Sequence, residues 1–409
     1  MRVMLVVAGL FALLGACSSG PAEFRPVMVA VPAGEGSGEP HLAVTQDGIA
    51  VLSWLDPEEG GHALRFAMLG EDGWSSPATV ARGERWFVNW ADFPSVVPLS
   101  SSLWAAHWLA RQSAGGYAYD VMVSLSTDAG STWGEPFSPH TDGTQTEHGF
   151  VTLFSWRDAA GSVWLDGRNM ADGEAVTKGD HAHGAGGMTL RAAVLEPAGA
   201  RSHESVLDGL TCDCCQTDVA VGGEGPIVVY RDRSADEVRD IYLARALEHG
   251  WSDPVPVATD GWRIDGCPVN GPAVAAAGMD VAVAWFTAAQ DRSMVRLARS
   301  TDGGRTFGEP IDVDAGAPLG RVDVVLLPGG DAAVSWLRPQ GESGAGLALR
   351  RVAADGGQGE VRSVAVTVAG RPSGFPQMVF ARGKLVLSWT EVDEEGTRVR
   401  SAWVDPARL

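Results

Sequence analysis

Positive charge is scarce in this chain. Of 409 residues, 31 are Lys or Arg against 51 Asp or Glu, a formal net charge of −20. That balance excludes a nucleic-acid-binding face, which needs clustered cations to meet phosphates. It also removes long-range attraction to anionic lipid. Tyrosine is rare, with 4 residues against 15 Trp. Beyond the first residues no run is long and apolar enough to span a bilayer. No low-complexity linker divides the chain, although its length is twice that of an ordinary domain. Large all-β architectures are the usual exception to that length rule.

What is present begins with an address. One Arg precedes an apolar run and a small-residue stretch ending at Cys17, which reads as a secretory signal too short to remain as a span. Leu14-Gly15-Ala16-Cys17 resembles the bacterial lipobox. The resemblance implies that residues 1–16 are removed, that Cys17 is lipidated, and that residues 17–23 form a tether. Ser18 and Ser19 follow, without an Asp of the inner-membrane-retention type, so the implied location is the outer membrane, facing the periplasm or exterior. Cys17 would then be the sole membrane contact.

Residues 24–409 carry an internal repeat, with an aromatic closing a short apolar strand at Trp54, Trp108, Trp164, Tyr230, Trp285, Trp336 and Trp389. The spacing is roughly fifty residues, and a second apolar run precedes each aromatic by roughly ten. A third strand and a turn-separated fourth follow in most units, bounded by Gly, Asp and Pro. Repeated four-stranded antiparallel units form the blades of a β-propeller. Seven blades are expected, or six if the poorly matched third unit is irregular. The last unit lacks a fourth strand, and residues 25–30 supply a candidate to close the ring and hide both sheet edges.

Two turns between third and fourth strands share one pattern. The first runs from Ser126 through Asp128, Gly130 and Thr132 to Trp133, and the second from Ser300 through Asp302, Gly304 and Thr306 to Phe307. Both resemble the Asp box of the bacterial sialidase (BNR) repeat, with degenerate copies ending at Trp74 and Trp251. In such a turn Asp bonds backbone N–H groups, Gly takes a positive φ, and the aromatic plugs the blade. The resemblance implies a sialidase-like propeller whose working face lies opposite these boxes. A sialidase site uses arginines for the substrate carboxylate, an Asp acid/base and a Tyr nucleophile.

Strand order places the segments after the seven aromatics, and those before each first strand, on that opposite face. Three constellations fall there. Tyr230 is the candidate nucleophile and Asp232 or Asp166 the acid/base, with Arg231, Arg233 and Arg168 holding an acidic group. The Arg-Ile-Pro signature of sialidases is missing; Phe24-Arg25-Pro26 is its poor counterpart. Cys212, Cys214, Cys215 and Cys267 are an even set in an oxidising compartment, read first as disulfides, with Cys215 and Cys267 expected to pair. Alternatively Cys212 and Cys214 join His181 and His183 of a glycine-rich loop in a copper or zinc site. The expected partner is a glycan or small acidic ligand, bound by a monomer that is either an exo-glycosidase or a non-catalytic binding propeller.

Overall fold

The computed structural model describes residues 23–113, 116–170, 187–196, 201 and 204–409. Within them antiparallel strands build seven sheets, and the first strand of each lies beside the first strands of its two neighbours in a closed ring. The protein is a seven-bladed β-propeller. The first strands are Gly38–Val44, Ser95–Pro98, His148–Trp156, Asp218–Gly222, Ala273–Ala277, Gly320–Leu326 and Gln377–Ala381. Six blades have four strands, the irregular third among them. The second has three, and an isolated bridge between Val123 and Phe137 stands where its fourth would run. No helix of the described residues is long and apolar enough to cross a membrane.

Each repeat aromatic lies on the second strand of its blade, and Trp54, Trp164, Trp285, Trp336 and Trp389 are fully buried. Second strands have blades on both faces, so their sequences are nearly continuous apolar runs rather than alternating ones. The indole N–H groups also tie blades together. Trp285 donates to Asp260 at 2.7 Å and Trp336 donates to Asp314 at 2.7 Å, each carboxylate belonging to the end of the preceding blade. Each bond satisfies an indole N–H that burial removes from water.

Closure follows the expected route. Val27–Val29 pairs with Gly396–Val404, setting Val27 opposite Trp403 and Val29 opposite Ser401. The seventh blade therefore takes its outer strand from the N-terminal end, which covers the edge of Gly396–Val404 and ties the two ends of the ring together.

Both Asp-box turns form the expected internal bonds. Asp128 accepts from the Thr132 amide at 2.8 Å and hydroxyl at 2.6 Å, while Ser126 Oγ accepts from the Gly130 amide at 2.9 Å. Asp302 and Ser300 repeat this with Thr306 and Gly304. The Thr132 hydroxyl and amide hold the Asp128 carboxyl down to about 2. Gly130 has φ +81°, and a Cβ there would come within 3.0 Å of Phe66. Trp133 packs edge-on to the same Phe66, with centroids 6.2 Å apart.

Around the axis, carboxylates clamp one inner strand to the next. Asp92 accepts from the Phe150 amide at 2.7 Å, Asp218 from the Val274 amide at 2.7 Å, and Asp323 from the Met378 amide at 2.6 Å. These bonds join blades two to three, four to five and six to seven. Burial raises all three carboxyls, to about 7 for Asp92, about 6 for Asp218 and about 8 for Asp323. In the unfolded chain an Asp ionises near 4, so between pH ~4 and ~8 the folded state holds more protons, and stability falls as pH rises. The melting temperature of the wild type should therefore drop from pH 4 to pH 8. Asp323→Asn should flatten that slope, whatever it does to stability at pH 4. An unchanged slope in the variant would show that Asp323 is ionised throughout.

Candidate functional site

Because strands alternate in direction, the loops joining second to third strands and those joining blades share the face opposite the Asp-box turns. A cavity of about 160 Å³ opens there. Trp90 enters from the link between blades one and two, and Tyr117 and Tyr119 from the second blade. Glu147 comes from the link into blade three, and Cys214 and Cys267 from the links on either side of blade four. Arg371 comes from the link into blade seven. Beneath it, a channel of about 430 Å³ runs between the first strands. Gln216 stands at the channel's entrance, donating to the Ala91 carbonyl at 2.6 Å and accepting from the Gly271 amide at 3.0 Å.

The cavity walls are aromatic and charged. Trp90 stacks on Phe375 at 5.8 Å with 20° between rings, and the Arg321 guanidinium lies 4.8 Å from its centroid. Tyr117 is 54 % exposed, and Tyr119 is buried with its hydroxyl donating to Asp92 at 3.0 Å. Tyr119 and Glu147 pair as an isolated bridge, which fixes both on one wall. Arg371 is exposed and, among the described residues, forms no ion pair. Sequence reasoning selected this face but not Trp90, Tyr117, Glu147 or Arg371. Their one signal was position in a loop before a first strand or after a second.

The arginines singled out from sequence are occupied by the protein itself. Arg231 is 2 % exposed and donates to the carbonyls of Asn270, Arg239 and Phe286, with Trp262 stacked at 4.8 Å. Arg233 pairs with Glu237 at 2.7 Å and Asp213 at 3.0 Å. Arg168 pairs with Asp166 at 2.6 Å and Glu204 at 3.0 Å. Tyr230 is buried and donates to Asp208 at 2.5 Å. Its phenol is pushed up by burial and by the Asp208 charge. Asp232, half-buried beside that pair, is raised to about 7, first by burial and then by Asp208. Asp166 is fully buried and also accepts from the Trp164 indole at 2.8 Å. Burial alone would raise it, but the Arg168 hydrogen bonds outweigh that and hold it low.

Beside Asp166 lies a pair of stacked imidazoles, His140 and His148, with centroids 3.9 Å apart and 6° between planes. Asp142 contacts both, at 3.2 Å and 3.3 Å, and Arg168 reaches the same carboxylate at 3.4 Å. Burial, reinforced by the neighbouring imidazole, lowers His140 to about 4. Imidazoles, carboxylates and the Arg168 guanidinium form one packed network at the entry to blade three.

The cysteines differ from expectation. No disulfide joins Cys212, Cys214, Cys215 or Cys267, so the expected Cys215–Cys267 bridge is not formed. The turn at 213–214 brings Cys267 to Cys214 instead. The sulfurs of Cys212, Cys214 and Cys215 lie within 4.8 Å of one another. Burial would raise Cys212, but hydrogen bonds from Cys214 and Cys215 and the nearby Arg239 guanidinium hold it well below the usual thiol range. His181, His183 and Cys17 lie outside the described residues.

No family model matches the chain, and no curated protein matches it in sequence. Solved structures do resemble it. An ulvan lyase of polysaccharide lyase family PL25, bound to a sulfated GlcA–rhamnose unit, has TM-score 0.55 at 12% identity, covering 92% of this chain and 96% of that one. A protein of unknown function from Dyadobacter fermentans has TM-score 0.53 at 15% identity, over 93% and 99% of the two chains. The GH93 α-L-arabinofuranosidase of Fusarium graminearum, in complex with arabinobiose, has TM-score 0.50 at 13% identity, over 94% and 99%. At these identities the likeness establishes the shared propeller fold.

The two classes of arginine make a testable contrast. Arg231→Ala removes the donor for three buried carbonyls and should destabilise the fold by about 3 kcal/mol or more. Arg371→Ala should leave the denaturant midpoint unchanged. Equal midpoints for Arg231→Ala and wild type would return Arg231 to the list of ligand-binding residues.

Proposed function

We propose that the protein recognises and processes a glycan, taking one acidic sugar residue in the mouth cavity. The observation that carries this reading is Arg371, an exposed guanidinium on the rim of a cavity walled by Trp90 and Tyr117. Sugar rings present an apolar face that packs on such aromatics, and a guanidinium matches a carboxylate bidentately. At about 160 Å³ the cavity is below the ~300–1,000 Å³ of drug-sized ligand sites, so it suits a chain end rather than a chain interior. A net charge of −20 repels an acidic sugar at long range, which makes a local cation necessary for such a ligand. The ulvan lyase and arabinofuranosidase of the same fold were solved with saccharides bound, which supports a saccharide here.

Sialidase-like hydrolysis is the finer reading. On it Glu147 supplies the wall's carboxylate for acid/base work, and Tyr117 is the exposed phenol of the cavity wall, since the Tyr119 hydroxyl is turned to Asp92. Tyr230 is turned to Asp208 and does not line the cavity. We also hold to anchoring through lipidated Cys17 at the outer membrane. Cys17→Ser should move the protein from the membrane fraction to the soluble periplasmic one; retention of the variant in membranes under high salt would remove the anchor.

Calorimetric titration with glucuronic, galacturonic and sialic acids, against their neutral counterparts, tests the ligand class. Arg371→Ala should weaken binding of the acidic sugar about 10- to 100-fold, equivalent to a lost charged hydrogen bond of ~1.5–3 kcal/mol. It should leave neutral sugars unaffected. Trp90→Ala should weaken both kinds. Heat signals absent for all acidic sugars, or an Arg371→Ala variant that binds them normally, would refute the proposal.

A further inference from the structure

Three sulfurs, those of Cys212, Cys214 and Cys215, converge in the wall of the mouth cavity with a fourth, that of Cys267, against Cys214, and simple packing does not account for them. Cys212 and Cys215 are buried, whereas Cys214 and Cys267 are half-buried and face the cavity. Cys214 touches all three of the others. The Cys212 and Cys214 sulfurs are 3.9 Å apart. That is nearly twice the ~2.05 Å of a disulfide bond. It matches the ~3.8 Å edge of a tetrahedron whose metal–sulfur bonds are ~2.3 Å.

The surroundings hold this arrangement. The Cys212 amide donates to the Arg231 carbonyl at 3.0 Å. Asp213 turns away, accepting from the Met188 amide at 3.2 Å and from Arg233 at 3.0 Å. That leaves the cysteines on either side of it free to converge. Arg239 is fully buried with Nη1 3.5 Å from the Cys212 sulfur, a fixed positive charge beside what would be an anionic cluster. The cavity provides an entry path past Cys214 and Cys267.

We infer that Cys212, Cys214, Cys215 and Cys267 form a binding site for one soft, thiophilic metal ion, Cu(I) or Zn(II). Thiolate sets select these ions over hard cations. On binding, the ligand thiols release their protons to solvent as the metal–sulfur bonds form. The site replaces two histidines of the sequence-based copper or zinc set with Cys215 and Cys267. It stands on the convergence of the Cys212, Cys214 and Cys215 sulfurs, with Cys267 completing the set through its contact with Cys214, and is independent of the saccharide.

The test uses the full chain, purified in detergent with reductant and without chelator, and offered Cu(I) or Zn(II) separately. One equivalent of one ion should be retained against a competing chelator, shielding all four cysteines from alkylation; the ion retained identifies the native class. Cys214→Ser and Cys267→Ser, at half-buried positions, should each weaken retention at least about 100-fold, beyond what loss of an outer partner costs. Circular dichroism checks that both variants fold. Failure to retain either ion, retention unchanged in both variants, or a non-reduced chain with two disulfides in place of thiols would each overturn the inference. If either variant misfolds, Cys267→Ala replaces it, and the same loss of retention is required.

Discussion

Seven sheets share one axis only if each inner strand is held laterally to the next, because first strands of adjacent blades do not exchange ladder hydrogen bonds. Here the hold is made by side chains. Asp92, Asp218 and Asp323 each reach an amide of the following blade's first strand. Thr152 donates to the Thr217 carbonyl at 2.8 Å, and Asn270 accepts from the Arg321 amide at 2.7 Å. Tryptophans of the second strands add bonds farther out, to Asp260 and Asp314. Each bond satisfies a backbone or indole group that burial would otherwise orphan. The ring is thus closed by polar atoms, and it is their burial that couples its stability to pH.

That constraint also governs which charged residues remain for a ligand. The face opposite the Asp-box turns is rich in Arg and Asp, but most are consumed in holding loops in place. Arg231 ties three carbonyls from successive blades, and Arg321 does similar work, donating to Ser373 at 2.6 Å and to the Gly374 carbonyl at 2.9 Å. A guanidinium has five donors, and a loop without regular pairing has many unpaired carbonyls, so an arginine near the axis is readily drawn into structure. Among the described residues Arg371 forms no ion pair; it lies at the rim, where Gly370 and Gly374 already have Arg321 as donor.

The fold was legible because its signals are local. An aromatic ending an apolar run, repeated at near-constant spacing, reflects a strand buried on both faces, and no long-range contact is needed to see it. The closing strand was legible by arithmetic, since one blade was a strand short. The site was less so. Tyr230 and Arg231 looked chemical because the repeat's Trp was replaced there and charge followed. In the structure that charge is spent on Asp208 and on main-chain carbonyls. Trp90 and Arg371 carried no such mark, because they matter only through cavity walls assembled from different blades. The cysteines fall between these cases. Their convergence followed from blade adjacency, but a single turn at 213–214 decided that Cys214, and not Cys215, meets Cys267.

The two faces are built in different ways. On one, Asp128 and Asp302 close their own turns with bonds inside a few residues, so those turns are autonomous and can recur from blade to blade. On the other, no segment is self-sufficient. The cavity takes residues from the links into blades two, three, four, five and seven, and its floor is pinned by Gln216 bonding across from blade two to blade five. A cavity built this way keeps its shape only while the ring is closed. The clamps around the axis and the geometry of the mouth are therefore one structural problem, solved by the same buried polar side chains.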